Sequence, residues 1–314
     1  MKNIFKLLAF LPLLTACDDL FEPALENNRD LEAMYKEPSY AQGILANAYI
    51  ILPYETSPTS DLATDDAVTN EISSNYLRMA TGSWTANNNP VSQWQNRFNA
   101  IQYINLFLEK VEWAKDERIS TMFLDRLKGE AYGLRALHMY YLLRAHGGKI
   151  ADGTLMGVPI ILKSEGPDAD FNHARATYSD CVKQIMEDAD KAIELLPLDY
   201  KKFADSEIPE KYKNIGVTNA SDYRRVCGEE YRGLMSGRIA LAVRAQTALL
   251  AASPAFQSGS GMTWEQAADY AAEIIEKANG GGGCGLDADG LEWYTLADKD
   301  YGTGGSPAEV IWRR

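Results

Sequence analysis

Six stretches of this chain repeat apolar residues every three or four positions, the period of an α-helix with one face turned to a core. Ser39 to about Leu52 place Ile44, Leu45, Ala48 and Tyr49 on one face, and Ser92 to Ala114 place Trp94, Phe98, Ile101, Leu108 and Val111 on another. A long helix is predicted over Arg118 to His146, with Leu124, Leu127, Ala131, Leu134, Tyr141 and Leu142 on its stripe. Gly147-Gly148 stops it, as glycine commonly does after a helix. Thr177 and Asp180 approximate a capping box that opens a fourth helix along Cys181, Ile185, Ala189, Ala192, Ile193 and Leu196, and Pro197 ends it. Gly237 to Ala252 is an alanine-rich helix that stops before Pro254. Thr263 and Gln266 form a second capping box for a helix to about Ala278, through Trp264, Ala267, Ala268, Ala271, Ile274 and Ile275.

Two helix pairs stand out, 118–146 with 177–196 and 237–252 with 263–278, each with small residues where the helices would touch. Small residues let antiparallel helices pack closely, in the style of tetratricopeptide (TPR) repeats. Between the helices lie long irregular stretches at Pro53–Pro90, Lys149–Ala176, Asp199–Ser236 and Asn279–Ser306. Loops of that length in a compact domain are usually functional or disordered. Val158 to Leu162 is an apolar run short enough for a strand. The expected fold class is therefore mostly α, built of irregular TPR-like helix pairs with long inserted loops and few short strands.

The N-terminus sets the compartment. Lys2 and Lys6 flank an apolar run, Leu7 to Leu14, that is broken only by Pro12 and followed by Thr15, Ala16 and Cys17. A basic flank, a short apolar run and a small-residue cleavage site define a secretory signal. The run is far below the roughly 20 residues needed to span a bilayer. Leu14-Thr15-Ala16-Cys17 resembles the bacterial lipobox, in which the cysteine carries lipid such as palmitate and becomes the first residue. Residues 1–16 are thus expected to be a lipoprotein signal peptide, and 17–38 a lipidated polar tether. Asp18-Asp19 directly after the cysteine resembles the surface-export signals of Bacteroidota lipoproteins.

Charge narrows the partners. The net charge is −13, and removing Lys2 and Lys6 with the signal makes it −15. A chain this acidic repels phosphate backbones, which argues against nucleic acid. It also lacks a polybasic patch for anionic lipid, so the lipid must do the anchoring. Besides Cys17 the chain has Cys181, Cys227 and Cys284, with no Cys-x-x-Cys pair, so it is not a disulfide-stapled scaffold.

Several segments carry a family resemblance. Gly129-Glu-Ala-Tyr-Gly-Leu-Arg-Ala-Leu-His-Met-Tyr-Tyr-Leu-Leu-Arg-Ala-His-Gly147 resembles the signature helix of the SusD/RagB family. Gly157-Val-Pro159-Ile-Ile resembles the strand after it, and Arg175-Ala-Thr177 through Leu196-Pro197 resembles the next helix. Gly237-Arg238 with Ala245 to Ala252, then Glu309-Val-Ile-Trp312, complete the set in family order. The resemblance implies a SusD-like domain over residues 39–314. It implies an outer-membrane, surface-exposed lipoprotein that captures oligo- or polysaccharide and hands it to a TonB-dependent SusC-like transporter. Some family members bind oligopeptides instead, and a non-binding TPR-like scaffold is a further alternative. Members usually continue well past the Glu309–Trp312 segment, so the resemblance also implies a missing C-terminal portion.

Catalytic constellations are poor, and no enzyme activity is expected. His138, His146 and His173 are scattered, without a His-Glu-x-x-His spacing, and His138 is read as structural. Asp65-Asp66 and Glu229-Glu230 are adjacent pairs, whereas glycoside hydrolysis needs two carboxylates set across a substrate. No Gly-x-Ser-x-Gly elbow is present. The glycine run from Asn279 to Gly285 follows a helix and has no lysine close behind it, unlike a phosphate loop. Asp287-x-Asp289-Gly290 has its glycine too early for an EF-hand. A plain turn is favoured there over an adventitious calcium site, and no cofactor is expected. Sugars present apolar C–H faces and polar edges, so a site needs aromatic platforms beside amides, carboxylates and arginines. Asp65, Asp66, Arg78, Trp84, Asn87, Asn88 and Asn89 offer that mixture. Trp84, in a loop with no periodic pattern demanding its burial, is either a sugar platform or a plug that holds the loop on the helices. Trp94, Tyr140, Tyr141 and Trp264 are assigned to the core by their helical spacing.

Overall fold

The structure, a computed structural model, describes residues 38–53, 60–85, 87–111, 118–279 and 310–312. The expected signal peptide, Cys17, the glycine run and the Asp287–Gly290 turn lie outside the described residues. The main helices are α1 (Pro38–Ile50), α3 (Trp94–Lys110), α4 (Arg118–His146), α5 (Tyr178–Leu195), α8 (Gly237–Ala252) and α10 (Trp264–Asn279). Their bounds fall within a few residues of those predicted, and the end of the second sits at Lys110 rather than Ala114. Shorter helices α2 (Asn75–Ala80), α6 (Glu210–Lys213), α7 (Ala220–Cys227) and α9 (Gln257–Ser260) occupy or border stretches expected to be irregular. No helix among the described residues is long and apolar enough to cross a membrane.

The caps are built as the sequence indicates. The Asp180 amide donates to Thr177 Oγ1 at 3.0 Å. At the start of α10 the bonds are reciprocal: the Gln266 amide to Thr263 Oγ1 at 3.2 Å, and the Thr263 amide to Gln266 Oε1 at 2.9 Å. Satisfying these otherwise orphaned amides stabilises each helix start by about 1 kcal/mol.

The helices form an array in which α1 packs on α3, α3 on α4, α4 on α5, α5 on α8 and α8 on α10. Helix α4 is the spine. It is 29 residues long and buried on every side, through Met122, Leu127, Ala131, Leu134, Ala136, Met139, Leu142 and Leu143. Close approach of α4 to α5 depends on glycine. A Cβ on Gly129 would lie 2.6 Å from Leu196, and one on Gly133 would lie 2.6 Å from Met235 and 3.3 Å from Ala192. A smaller apolar cluster, including Met122, Tyr212, Tyr223 and Val226, joins α4 to α6 and α7.

The predicted strand over Val158–Leu162 does not form. A two-residue hairpin pairs β1 (Gly148–Lys149) with β2 (Leu155–Met156) instead. Pro159 has no amide to offer a ladder. The backbone around it bonds to distant segments instead: Gly157 N to the Ala176 carbonyl at 2.8 Å, and Asn105 Nδ2 to the carbonyls of Ile161 at 2.9 Å and Lys163 at 3.1 Å. Two tryptophans assigned to the core are exposed. Trp94 is 43% and Trp264 49% exposed, because each opens a helix at its first turn and is covered on one side only. Tyr140 is buried as expected.

Charged groups also cross the core. Arg135 grips Asp188 of α5 with two bonds of 2.7 Å and donates to Asn105 Oδ1 of α3 at 2.9 Å. Removing one partner of such a pair leaves a buried charge uncompensated, at a cost of about 3–5 kcal/mol. Asp188→Asn is therefore expected to lower unfolding stability by that order in urea denaturation, and Arg135→Met with Asp188→Leu is expected to recover much of it. A loss below about 1 kcal/mol in the single variant would contradict the pairing.

Candidate functional site

A cleft lies where the C-terminal ends of α1 and α4 meet the N-terminal end of α3. Its volume is about 960 Å³. Ile50 to Pro53 form one wall and Tyr76 of α2 another. Gln93, Asn96 and Arg97 come from the start of α3, and Tyr141 and Arg144 from the last turns of α4. Rings, amides and guanidiniums thus converge on one space, which suits a ligand with alternating apolar and polar faces.

Buried polar contacts fix these walls. Arg97 donates to Nδ1 of His138 at 3.1 Å and to the Ile51 carbonyl. His138 Nε2 donates to the Ala48 carbonyl at 3.0 Å, so the ring proton sits on Nε2. Burial and the Arg97 charge push the His138 pKa down to about 3, which keeps the imidazole neutral. This is the structural role expected of His138. The Arg144 guanidinium lies over the rings of Tyr141 at 4.9 Å and Tyr140 at 5.7 Å. At the cleft's rim the Gln93 amide, at the N-cap of α3, donates to His146 Nε2 at 3.0 Å. Trp94 meets His146 and Phe98 edge-on, with centroids 5.4 and 4.9 Å apart. Burial and Arg175 hold His146 below its ordinary value, consistent with a neutral acceptor.

The residues singled out in the sequence form a loop–helix unit beside this cleft. Arg78, on α2, donates to Asn88 Oδ1 at 2.8 Å. Thr85 and Asn88 exchange backbone bonds that close a tight turn. Asn89 Oδ1 accepts from the Val91 amide at 3.0 Å and turns the chain into α3. Asn88 and Asn89 therefore brace the loop, while Asn87 lies on the surface. Trp84 is 50% exposed. Asp65 and Asp66 are exposed and follow a 3-10 turn (Ser60–Ala63) that packs on α2. Of the other acidic pair, Glu229 meets Lys202 at 3.2 Å and Arg232 at 3.7 Å on the surface.

Sequence reasoning missed Tyr76, Gln93, Asn96, Arg97 and Arg144, and assigned Tyr141 to the core, where it is only half-buried. One signal was available. Arg97 falls within the apolar stripe of its helix, where a charge is out of place unless it has a task.

A SusD-like family model, described as starch-binding and associating with the outer membrane, matches residues 25–211. No curated protein matches the sequence. A SusD superfamily protein from Bacteroides vulgatus is similar at 20% identity and TM-score 0.58, over 83% of this chain and 51% of that one. A laminarin-binding SusD-like protein is similar at 19% identity and TM-score 0.57, over 85% of this chain and 50% of that one. A SusD-like carbohydrate-binding protein from Bacteroides fragilis gives 18% identity and TM-score 0.56, over 83% and 44%. The chain spans about half the length of these relatives.

The His138 environment generates a pH prediction. Its folded pKa lies below the ordinary value, so stability is full above about pH 6.5 and is lost as pH falls toward about 3, by up to about 1.4 kcal/mol per unit. The His138 ring signals in NMR are expected to stay those of a neutral imidazole from pH 7.5 to 5, while the urea midpoint falls. A midpoint of titration near 6.5 would show that the ring is not held by this network.

Proposed function

This chain belongs to the SusD-like family, and from that premise we propose that it captures oligo- or polysaccharide at the cell surface and delivers it to a TonB-dependent SusC-like transporter. The observation that carries the reading is Trp84, half-exposed on a braced loop beside a cleft lined with rings and amides. A flat indole gives the apolar face of a sugar a platform. Gln93, Asn96 and Asn87 supply amides of the kind that bond hydroxyl edges. The family's description as starch-binding supports a glycan ligand. Binding rather than turnover is favoured because, among the described residues, no carboxylate lines the cleft, and glycoside hydrolysis needs two.

The same proposal places the chain on the outer membrane, held by lipid on Cys17. The lipobox-like Leu14-Thr15-Ala16-Cys17 and the family's association with the outer membrane support it. A single acyl chain binds a membrane only marginally, so the modification carries more than one.

Two outcomes test these readings. Calorimetry of the full chain in detergent, against starch- and laminarin-derived oligosaccharides, is expected to show binding that Trp84→Ala weakens about 10-fold or more. Circular dichroism should be unchanged in the variant, and equal affinity would remove Trp84 from the site. Expressed in a bacterial host, the wild-type chain is expected to enter the detergent phase of a Triton X-114 separation, and Cys17→Ser to leave it. Identical partition of the two would contradict the lipid anchor.

A further inference from the structure

Arginine keeps its charge at every accessible pH, so burying it normally requires a carboxylate within reach. Three of the buried arginines obey this. Arg126 pairs with Glu130 at 2.7 Å, Arg135 with Asp188 at 2.7 Å and Arg238 with Asp199 at 2.6 Å. Arg97 does not. It is 2% exposed, and its partners are a neutral imidazole, a backbone carbonyl and the Tyr141 ring, 6.0 Å away. Its Nε is buried without a hydrogen-bond partner, as are Nε and Nη2 of Arg126, so it is the missing carboxylate that sets Arg97 apart. Burial holds its pKa below the ordinary value, as befits a charge short of compensation. Among the described residues, Arg97 is the one buried arginine without a carboxylate.

That arginine lines the cleft. A second one, Arg144, lines the same space, is exposed, and rests on Tyr141 without an ion-pair partner among the described residues. The described lining contributes two guanidiniums and no acid, in a chain of net charge −13. A concave, one-signed lining concentrates ligands of the opposite sign.

We propose that the cleft takes an anionic sugar, whose carboxylate or sulfate ester supplies the counter-charge that Arg97 and Arg144 lack. The inference rests on the glycan-binding reading and names the class of glycan. Planar guanidiniums bind such oxyanions through paired N–H bonds. Tyr76, Tyr141, Gln93 and Asn96 provide rings and amides for the remainder of the sugar. Arginine clusters also hold acidic peptide motifs; a glycan is favoured here because the matching family is described as starch-binding.

Calorimetry of the full chain in detergent tests this with three tetrasaccharides: galacturonate, sulfated carrageenan and neutral galactan. One acidic arm is expected to bind about 10-fold or more tighter than the neutral one, the identity of that arm separating carboxylate from sulfate. The preference should shrink in 0.5 M salt and disappear in Arg144→Gln, whose side chain is on the surface, and in Arg97→Gln where circular dichroism shows it folded. Neutral binding equal to or tighter than both acidic arms overturns the anionic proposal and leaves the glycan reading standing. An acidic preference that survives Arg144→Gln also overturns it. Binding of none of the three overturns the anionic proposal; only binding of a tetraglutamate peptide with no starch-, laminarin- or galactan-derived oligosaccharide bound overturns the glycan reading with it.

Discussion

Helix α4 runs through the middle of the array with neighbours on every side, yet it carries Arg126, Glu130, Arg135 and His138 into that interior. Buried charges and ring nitrogens must be satisfied by whatever packs against them. The neighbours supply partners element by element. Glu130 accepts from Tyr49 of α1 at 2.7 Å as well as from Arg126, and Tyr49 Oη in turn accepts from the Met235 amide at 2.9 Å. Burial pushes the Glu130 carboxyl up against the opposing pull of Arg126 and Tyr49. Arg135 fixes α5 and α3, and His138 fixes α1 and α3. An apolar interface tolerates sliding; these contacts do not, so they select one arrangement of the helices around the spine.

That arrangement creates the cleft. The Arg97–His138 contact sits about two helical turns below the open end of α4, where α1 has just ended and α3 is just beginning. Three helix termini therefore meet around a space that no described side chain fills. Arg175 secures the base of this corner by donating to the carbonyls of Gly157 at 2.7 Å and His146 at 2.9 Å. The loop bearing Trp84 is fastened to the same corner through Arg78 and Asn88 on one side and the Asn89 turn on the other. Rigid supports beneath a flat aromatic side chain favour recognition, because little order remains to be imposed when a ligand arrives.

The long helices were legible because each buries a stripe, and a stripe leaves a period in the sequence. Helices α2, α6, α7 and α9 left no such trace. At 4 to 8 residues they are too short to show a period or to stand alone, and they form because tertiary neighbours hold them. Periodicity also reports spacing rather than cover, which is why Trp94 and Trp264 read as core and stand exposed. Residues 158–162 read as a strand since a short apolar run looks alike in a strand and in a buried irregular segment. The loop cluster of Trp84, Arg78 and Asn87–Asn89 was legible from its residue types. The cleft was not, because Ile51, Tyr76, Arg97 and Arg144 are brought together from segments that sequence order keeps apart.

Hydrogen–deuterium exchange of the full chain, with and without a saturating bound glycan, tests the placement of the site most directly. The account requires slowed exchange in residues 76–97 and 141–145, with α5, α8 and α10 unchanged. Protection confined to α5, α8 or α10, with the cleft segments exchanging as in the free protein, would contradict it.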